Sequence, residues 1–372
     1  MACCSSYLQQ AIFIRMSQIL APFTCIYSPN VPELLSELDC TLAISTYQAD
    51  KLIFIGAKDT TTLVQLSKTV QMPMGIAFDG NRLAVAGRAS VLVYAAAPQL
   101  AAGYPRQPNT YDNLFLPRAQ YVTSIIDTHD LVWVKDKLLV VNTMFSCLAW
   151  LDSHHNFEPY WQPPFITGLH PEDRCHLNGL AVQEGTPKYV SMFAATNTAG
   201  GWHGDRRTTD GLIIDIESNE VVTTGLAMPH SPRIIDGKLY VLQSASGDIS
   251  EVDVHSGKCT TVKNLGRYVR GMAFYKGFLF VAFSKIREKF SAFGDLSIAA
   301  ASNEAGISII HFASGSVVGE IKYKNSVEEI YDLQILPFRR PGLVNFDQPE
   351  KDLAISLPGF GAWGSFGEED KK

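Results

Sequence analysis

Apolar residues fall along this chain in short runs of four to seven, cut by glycine, asparagine, aspartate or lysine, and one such unit recurs. It is an apolar strand, a tight turn, then a second apolar strand ending in small or polar residues. Copies run from Met74 to Gly87 and from His129 to Asn142, and others start at Asn178, Ser231 and Arg270, with a weaker sixth at Tyr331. Repetition at roughly 40 to 60 residues, in strands with no helical period, predicts an all-β fold, a β-propeller. The turns Asp79-Gly80-Asn81, Lys135-Asp136-Lys137, Asp236-Gly237 and Lys276-Gly277 carry residue types that accept positive φ in hairpins. Third and fourth strands are expected at Val91–Tyr94, Cys147–Leu151, Gly211–Ile216 with Val221–Thr224, Ile249–Val252 with Thr260–Val262, and Ile307–Ile310 with Val317–Ile321. Thr41–Ser45, Lys51–Ile55 and Thr62–Leu66 form three strands without an inner partner, which the strand near Tyr331 supplies. The expectation is therefore six blades, closed by pairing of N- and C-terminal strands so that no edge stays open.

The repeat spans 34–341 as one domain, between an N-terminal segment 1–33 and a C-terminal tail 342–372. The stretch Pro98–Pro117 is expected on the rim or the far face. Met16 opens a segment that reads as an ordinary start, and the choice between Met1 and Met16 stays open. A net charge of −6 gives the chain no general attraction to nucleic acid or to an anionic membrane. The first fifteen residues make a poor signal peptide and no apolar run is long enough to span a bilayer. Seven cysteines, an odd number without C-x-x-C spacing, point to reduced thiols and a cytoplasmic address.

In a meander blade the inner-strand starts share one face with the loops joining second to third strands. Two such loops are long, Asn197–Asp210 and roughly 285–305, and mark this entrance as the working face. Registering the copies superposes Met74, His129, Asn178, Ser231, Arg270 and Tyr331. Asp127, His176, His230, Tyr268, Glu328 and Glu329 stand just upstream, and Arg88, Asn142, Asn197, Gln243 and Lys285 end the second strands. His129, His176 and His230 are candidate ligands for a divalent metal such as zinc, copper or iron, or acid/base groups, or histidines hydrogen-bonded to loop backbone. Arg270, with Arg88, Arg233 and Lys285, is a candidate carboxylate or phosphate clamp, or a partner for Asp127, Glu329 or Asp332. Trp202 and His203, in the glycine-bracketed loop Gly200–Arg207, are candidate lid residues, or a tryptophan packed on a neighbouring blade. Glu329, Tyr331, Asn178 and Asn142 complete the expected ligand-binding set. Cys175 reads as a buried structural thiol, and His154, His155 and His255 as surface residues. Nucleophile elbow, zincin and Walker signatures are absent, and no G-x-G-x-x-G opens a helix.

Several stretches resemble a bacterial family of conserved hypothetical proteins of unknown function. They are Thr128–Trp133, Asn142–Ala149, Arg174–Ala181, Thr198–Trp202, Met228–Arg233, Arg270–Phe274 and Val327–Asp332. Some members of that family are fused to tetratricopeptide repeats. The resemblance implies no activity, and it departs at His203, where the family has arginine. Asn178-Gly-Leu-Ala181 is also similar to a stretch of gluconolactonase and strictosidine-synthase-type propellers, whose asparagine ligates calcium, although their acidic ligands have no clear equivalents here. Two functions follow. One is small-molecule or peptide-end binding at the entrance, with metal-dependent catalysis by the three histidines as its stronger form and Arg270 as anion anchor. The other is a non-catalytic protein-interaction scaffold, for which exposed Phe290 and Phe293 and a plugged entrance would speak.

Overall fold

A computed structural model describes residues 20–286 and 293–364. Six sheets radiate from one axis, each an antiparallel meander built outward from its inner strand. Blade 1 is Asp332–Leu336, Thr41–Thr46, Lys51–Ala57 and Leu63–Thr69, and blade 2 is Ile76–Phe78, Arg82–Ala86, Ser90–Ala96 and Asn113–Val122. Blade 3 is Thr128–Val134, Lys137–Asn142, Cys147–Trp150 and Glu158–Trp161; blade 4 is Leu177–Gln183, Thr186–Met192, Gly211–Asp215 and Val221–Leu226. Blade 5 is Pro229–Ile235, Lys238–Gln243, Asp248–Val252 and Cys259–Asn264; blade 6 is Tyr268–Tyr275, Phe278–Ser284, Gly306–His311 and Ser316–Tyr323.

The runs are apolar on both faces because each sheet is covered on both sides by neighbouring blades. Leu42 and Ile44 face blade 6, where they meet Phe280 and Ile307, while Ala43 between them faces blade 2 with Ile76 and Val85. Leu138 and Val140 likewise pack toward Ala84 and Val93 of blade 2, and Leu139 and Val141 toward Val190 and Met192 of blade 4. The inner hairpins turn through left-handed pairs, Glu184–Gly185, Asp236–Gly237 and Lys276–Gly277, as twisted two-residue turns require.

The ring closes where the chain's late strand Asp332–Leu336 pairs with Thr41–Thr46. Segments outside 34–341 also join it: Cys25–Tyr27 adds a fifth strand to blade 6, and Pro341–Leu343 a parallel fifth strand to blade 2. The stretch Pro98–Pro117 holds a short helix, Pro98–Ala101, and the start of the outer strand of blade 2. Pro117 falls at a break in that strand's register, where its missing N–H is tolerated.

Two polar devices join neighbouring inner strands. Hydroxyls ending second strands donate to carbonyls of the next blade, Thr143 to Leu177 (2.6 Å), Ser244 to Val269 (2.5 Å) and Ser284 to Ile330 (3.1 Å). Carboxylates do the same deeper in the channel, where Asp130 accepts from Leu180 N–H (3.0 Å) and Asp332 from Ile76 N–H (2.8 Å). The described cysteines are all free. Among the described residues no helix is long and apolar enough to cross a membrane.

Candidate functional site

Strand pairing fixes which side chains share the mouth of the channel. Thr128, Leu177 and Pro229 stand opposite the last residue of the second strand, at Asn142, Met192 and Gln243, and Val269 stands opposite Phe283, next to last in blade 6. The next residue inward is therefore His129, Asn178, His230 and Arg270, with Met74 and Tyr331 completing the tier. This corrects the register expected for blade 5, in which Ser231 was aligned and His230 placed upstream. The inner strand bulges between His230 and Arg233, as the inner strands of blades 3, 4 and 6 do at the same place, and Ser231 sits there at φ 47°. Asp127 and His176, just before inner strands, also have left-handed φ near 49°, a non-glycine strain of the kind that collects at functional positions.

The histidines are fixed in one tautomer by their acceptors. His129 Nδ1 lies 3.0 Å from the Asp127 carbonyl and 2.8 Å from Thr143 Oγ1, whose own proton goes to Leu177. His230 Nδ1 lies 3.0 Å from the Met228 carbonyl and 2.7 Å from Ser244 Oγ, whose proton goes to Val269. In both rings Nδ1 carries the hydrogen and Nε2 keeps a lone pair. Burial, reinforced by neighbouring positive charge from His176 and Arg270 at His129 and from Arg270 at His230, holds both pKa values well below the ordinary histidine value. His176 Nδ1 meets Asp173 Oδ2 at 2.8 Å, and the same oxygen accepts from Trp202 Nε1 at 2.9 Å.

A cavity of about 330 Å³ opens at the mouth between blades 6, 1 and 3, with His129, Tyr268, Arg270, Lys285, Glu329 and Tyr331 in its wall. The Arg270 guanidinium lies 3.8 Å over the Tyr331 ring and pairs with Glu329 at 2.5 Å. Lys285 is 3.5 Å from Glu328. At Arg270 the ion-pair alternative holds, with Glu329 as its partner, and the side chain also lines the cavity. Arg270 Nε and the hydroxyls of Tyr268 and Tyr331 are buried without a hydrogen-bond partner among the described residues. Burial pushes the Tyr268 hydroxyl up to about 12, so it is a proton donor at neutral pH. Burial and the charge of Asp173 raise the Asp127 carboxyl at the rim.

Other expected residues sit elsewhere. Arg88 is exposed on the rim. Asn142 is buried in blade 3, its side-chain oxygen capping the N–H of Phe145, away from the cavity wall. Trp202 is buried between His176 (centroids 4.2 Å) and His203 (3.8 Å), in an apolar cluster with Phe193 of its own blade and Met228 and Ala245 beside blade 5, so it packs on the neighbouring blade and is no lid over the cavity; His203 covers it from solvent. Arg233 lies deeper, 3.2 Å from Asp130 and 3.9 Å from Asp332. Cys175 is buried with its thiol pushed up to about 12 by burial, as a structural thiol should be. Phe293 is half-buried, stacked on Tyr268, and Phe290 lies outside the described residues. Asp173, Phe193 and Thr143 were not foreseen as site residues. Asp173, three residues before His176, was visible as a local partner; Phe193 follows a strand end and has no such signal.

The three histidines do not meet at one point. His129 and His176 touch edge to face at 4.7 Å, while Phe193 packs against both His176 (4.3 Å) and His230 (5.3 Å). Among the described residues no group of three or more His, Cys, Asp or Glu side chains is arranged to hold a metal ion. Calcium at Asn178 fits no better, because the carboxylates beside it, Asp130 and Asp332, already share the Arg233 guanidinium.

Fold and site together define a six-bladed β-propeller with an open, cation-bearing polar cavity at one mouth. The chain belongs to the family described as Domain of unknown function (DUF4915), which matches residues 29–344. No curated protein matches it. Its structure is similar to a chain in a crystal structure of a nidogen/laminin complex, at 8% identity over 80% of this chain and 98% of that one, with a TM-score of 0.52. A protein of unknown function from Bacteroides caccae is also similar, at 12% identity over 80% and 99%, with a TM-score of 0.52. At these identities the likeness shows the fold alone.

Proposed function

We propose that the entrance cavity binds a small organic molecule or peptide end through an anionic group held by Arg270 and Lys285, with Tyr268 and Tyr331 flanking it. The observation that carries this reading is the placing of unpartnered polar atoms. Arg270 Nε and the Tyr268 and Tyr331 hydroxyls are buried in the wall of one open cavity. An unmade hydrogen bond on a buried group costs about 1–3 kcal/mol, so three at one cavity are best accounted for by a ligand that completes them. A scaffold reading would favour an entrance filled by its own side chains, and among the described residues the cavity is open.

The test is calorimetry of the full chain against a panel of small carboxylates and phosphate monoesters. Binding that falls roughly ten- to a hundredfold in Arg270→Gln supports the reading; no binding by any anion at millimolar concentration overturns it. Catalysis is a stronger form of the same proposal, in which His129 Nε2, an unprotonated base in the cavity wall, accepts a proton from the bound molecule. Turnover of a bound ligand that persists in His129→Gln would remove that form and leave binding intact.

A further inference from the structure

Beneath the entrance cavity, and sharing His129 and Tyr331 with it, the channel narrows to a pocket of about 10 Å³. That is room for about one oxygen atom with its hydrogens. His230 and Asn178 both line it, from neighbouring blades, each only 3% exposed. His230 Nε2 and Asn178 Nδ2 are both buried without a partner. One is an acceptor, because the hydrogen of His230 is committed at Nδ1 to Met228 and Ser244. The other is a donor by the chemistry of an amide.

An acceptor and a donor on residues lining a space of one oxygen are both completed by a group that gives and takes a hydrogen bond. The surroundings discriminate further. The carboxylates Asp130 and Asp332 in its wall, which would attract a cation, already share the Arg233 guanidinium, and Arg270 lines the cavity above. A metal ion or an ammonium group would meet guanidinium charge there. A carboxylate would meet the lone pair of His230. A neutral hydroxyl meets neither penalty.

We infer that this pocket is a second subsite, which takes one hydroxyl of the ligand as donor to His230 Nε2 and acceptor from Asn178 Nδ2, so that the molecules recognised are hydroxylated acids with the anion at Arg270 and Lys285. The inference rests on the anion-binding reading of the cavity above and adds the substrate class.

Matched pairs test it on the full chain by calorimetry: 3-hydroxybutyrate against butyrate, and glycerol 3-phosphate against propyl phosphate. The expected result is that at least one hydroxylated member binds roughly ten- to a hundredfold tighter than its partner. Asn178→Leu and His230→Gln should each erase most of that difference, the hydroxylated acid losing more affinity than the plain one. Thermal melting of both variants shows whether they are folded, and Asn178→Leu carries the test should His230→Gln fail. Equal affinity within both pairs, with Arg270→Gln weakening every acid, overturns the hydroxyl subsite and leaves the anion site standing. A crystal structure of a bound hydroxy acid with water between His230 and Asn178 and the hydroxyl elsewhere also overturns it. Binding by none of the four probes removes the anion-binding reading itself, and this inference with it.

Discussion

Arg270 lies flat over Tyr331, its guanidinium carbon 3.8 Å from the ring centroid, across the junction where the last inner strand closes the ring. The same guanidinium pairs with Glu329, two residues before Tyr331, so one blade 6 side chain grips two positions of blade 1. A buried cation stacked and paired in this way contributes to closure as well as to the site. Arg270→Met leaves the Glu329 carboxylate without its partner and should cost about 2–3 kcal/mol in urea unfolding, less than the ~3–5 of a fully buried pair because Glu329 keeps some contact with water. Arg270→Met with Glu329→Gln should recover about half of the loss. An additive double variant would mean that the ion pair has no part in closure.

The histidine tautomers give a second expectation. His129 and His230 are held neutral by burial, with Nδ1–H engaged and Nε2 bare. In nitrogen-15 spectra both should show the Nδ1–H form and titrate well below the ordinary histidine value. Because their folded pKa values lie below the unfolded value near 6.5, the unfolded chain takes up protons first as the pH falls. Their contribution to stability is present above pH ~6.5 and is lost on acidification. Thr143→Val and Ser244→Ala remove the hydroxyls that accept from these rings and donate to the next blade, at about 1–2 kcal/mol each in denaturant unfolding. A ring that titrates near 6.5 in the unmodified protein would contradict the tautomer assignment.

How much of this was readable in the sequence depends on whether a contact leaves a local mark. Hairpins were legible because a two-residue turn with left-handed backbone demands particular residues, as Asp236-Gly237 and Lys276-Gly277 show. Six blades and closure by the strand at Tyr331 followed from counting the copies. The tier at the mouth was legible except in blade 5, and the missed signal was a constant spacing. Six positions separate His129 from Lys135, Asn178 from Glu184, Arg270 from Lys276, and likewise His230 from Asp236, whereas Ser231 is one short. Contacts between blades leave no such trace. Phe193 between His176 and His230, and Arg233 between Asp130 and Asp332, join residues from different copies whose proximity is set by the radius of the ring. The outer strand Asn113–Val122 was hidden by Pro117, which interrupts its pattern at a bulge.

The charge triad on the axis predicts an opposite pH response. Burial and the neighbouring charge of Asp130 raise the Asp332 carboxyl well above the usual carboxylate range, against the pull of Arg233. The folded chain therefore holds this proton more tightly than the unfolded chain does. Its contribution is largest below the unfolded pKa near 4 and declines as the pH rises through the folded value. Asp332→Asn removes the titration and should flatten the fall in unfolding free energy above pH ~4, in a series of urea curves taken at successive pH values. Arg233→Met should steepen that fall, since two carboxylates then share the channel without a counter-charge. An unchanged slope in Asp332→Asn would place the titration on another group.

The added strand of blade 6 is the remaining test of how the ring is sealed. Cys25–Tyr27 pairs antiparallel with Ile321–Tyr323, and the backbone around it is tied further by Ser28 N–H to Glu320 O (2.9 Å) and Glu320 N–H to Ser28 Oγ (3.0 Å). Thr24 N–H bonds the Asn325 side chain at 2.9 Å, and the Tyr323 hydroxyl reaches Gln65 of blade 1 at 2.9 Å, beside Gln65 Nε2 bonded to the Phe23 carbonyl. The segment thus covers the outer edge of blade 6 and spans to blade 1. A chain starting at Pro29 frees the edge of Ser316–Tyr323, a strand that exposes Val317 and would present unpaired N–H and C=O groups to another molecule. Compared with a chain starting at Leu20, which keeps every one of these contacts, it should melt several degrees lower and self-associate in light scattering at concentrations where the longer chain stays dispersed. Because the entrance cavity is built from inner-strand residues and the loops behind them, anion binding by the fraction that stays dispersed should be unchanged. Loss of binding in parallel with loss of the strand would instead mean that the outer edge of blade 6 sets the position of Arg270 on its inner strand.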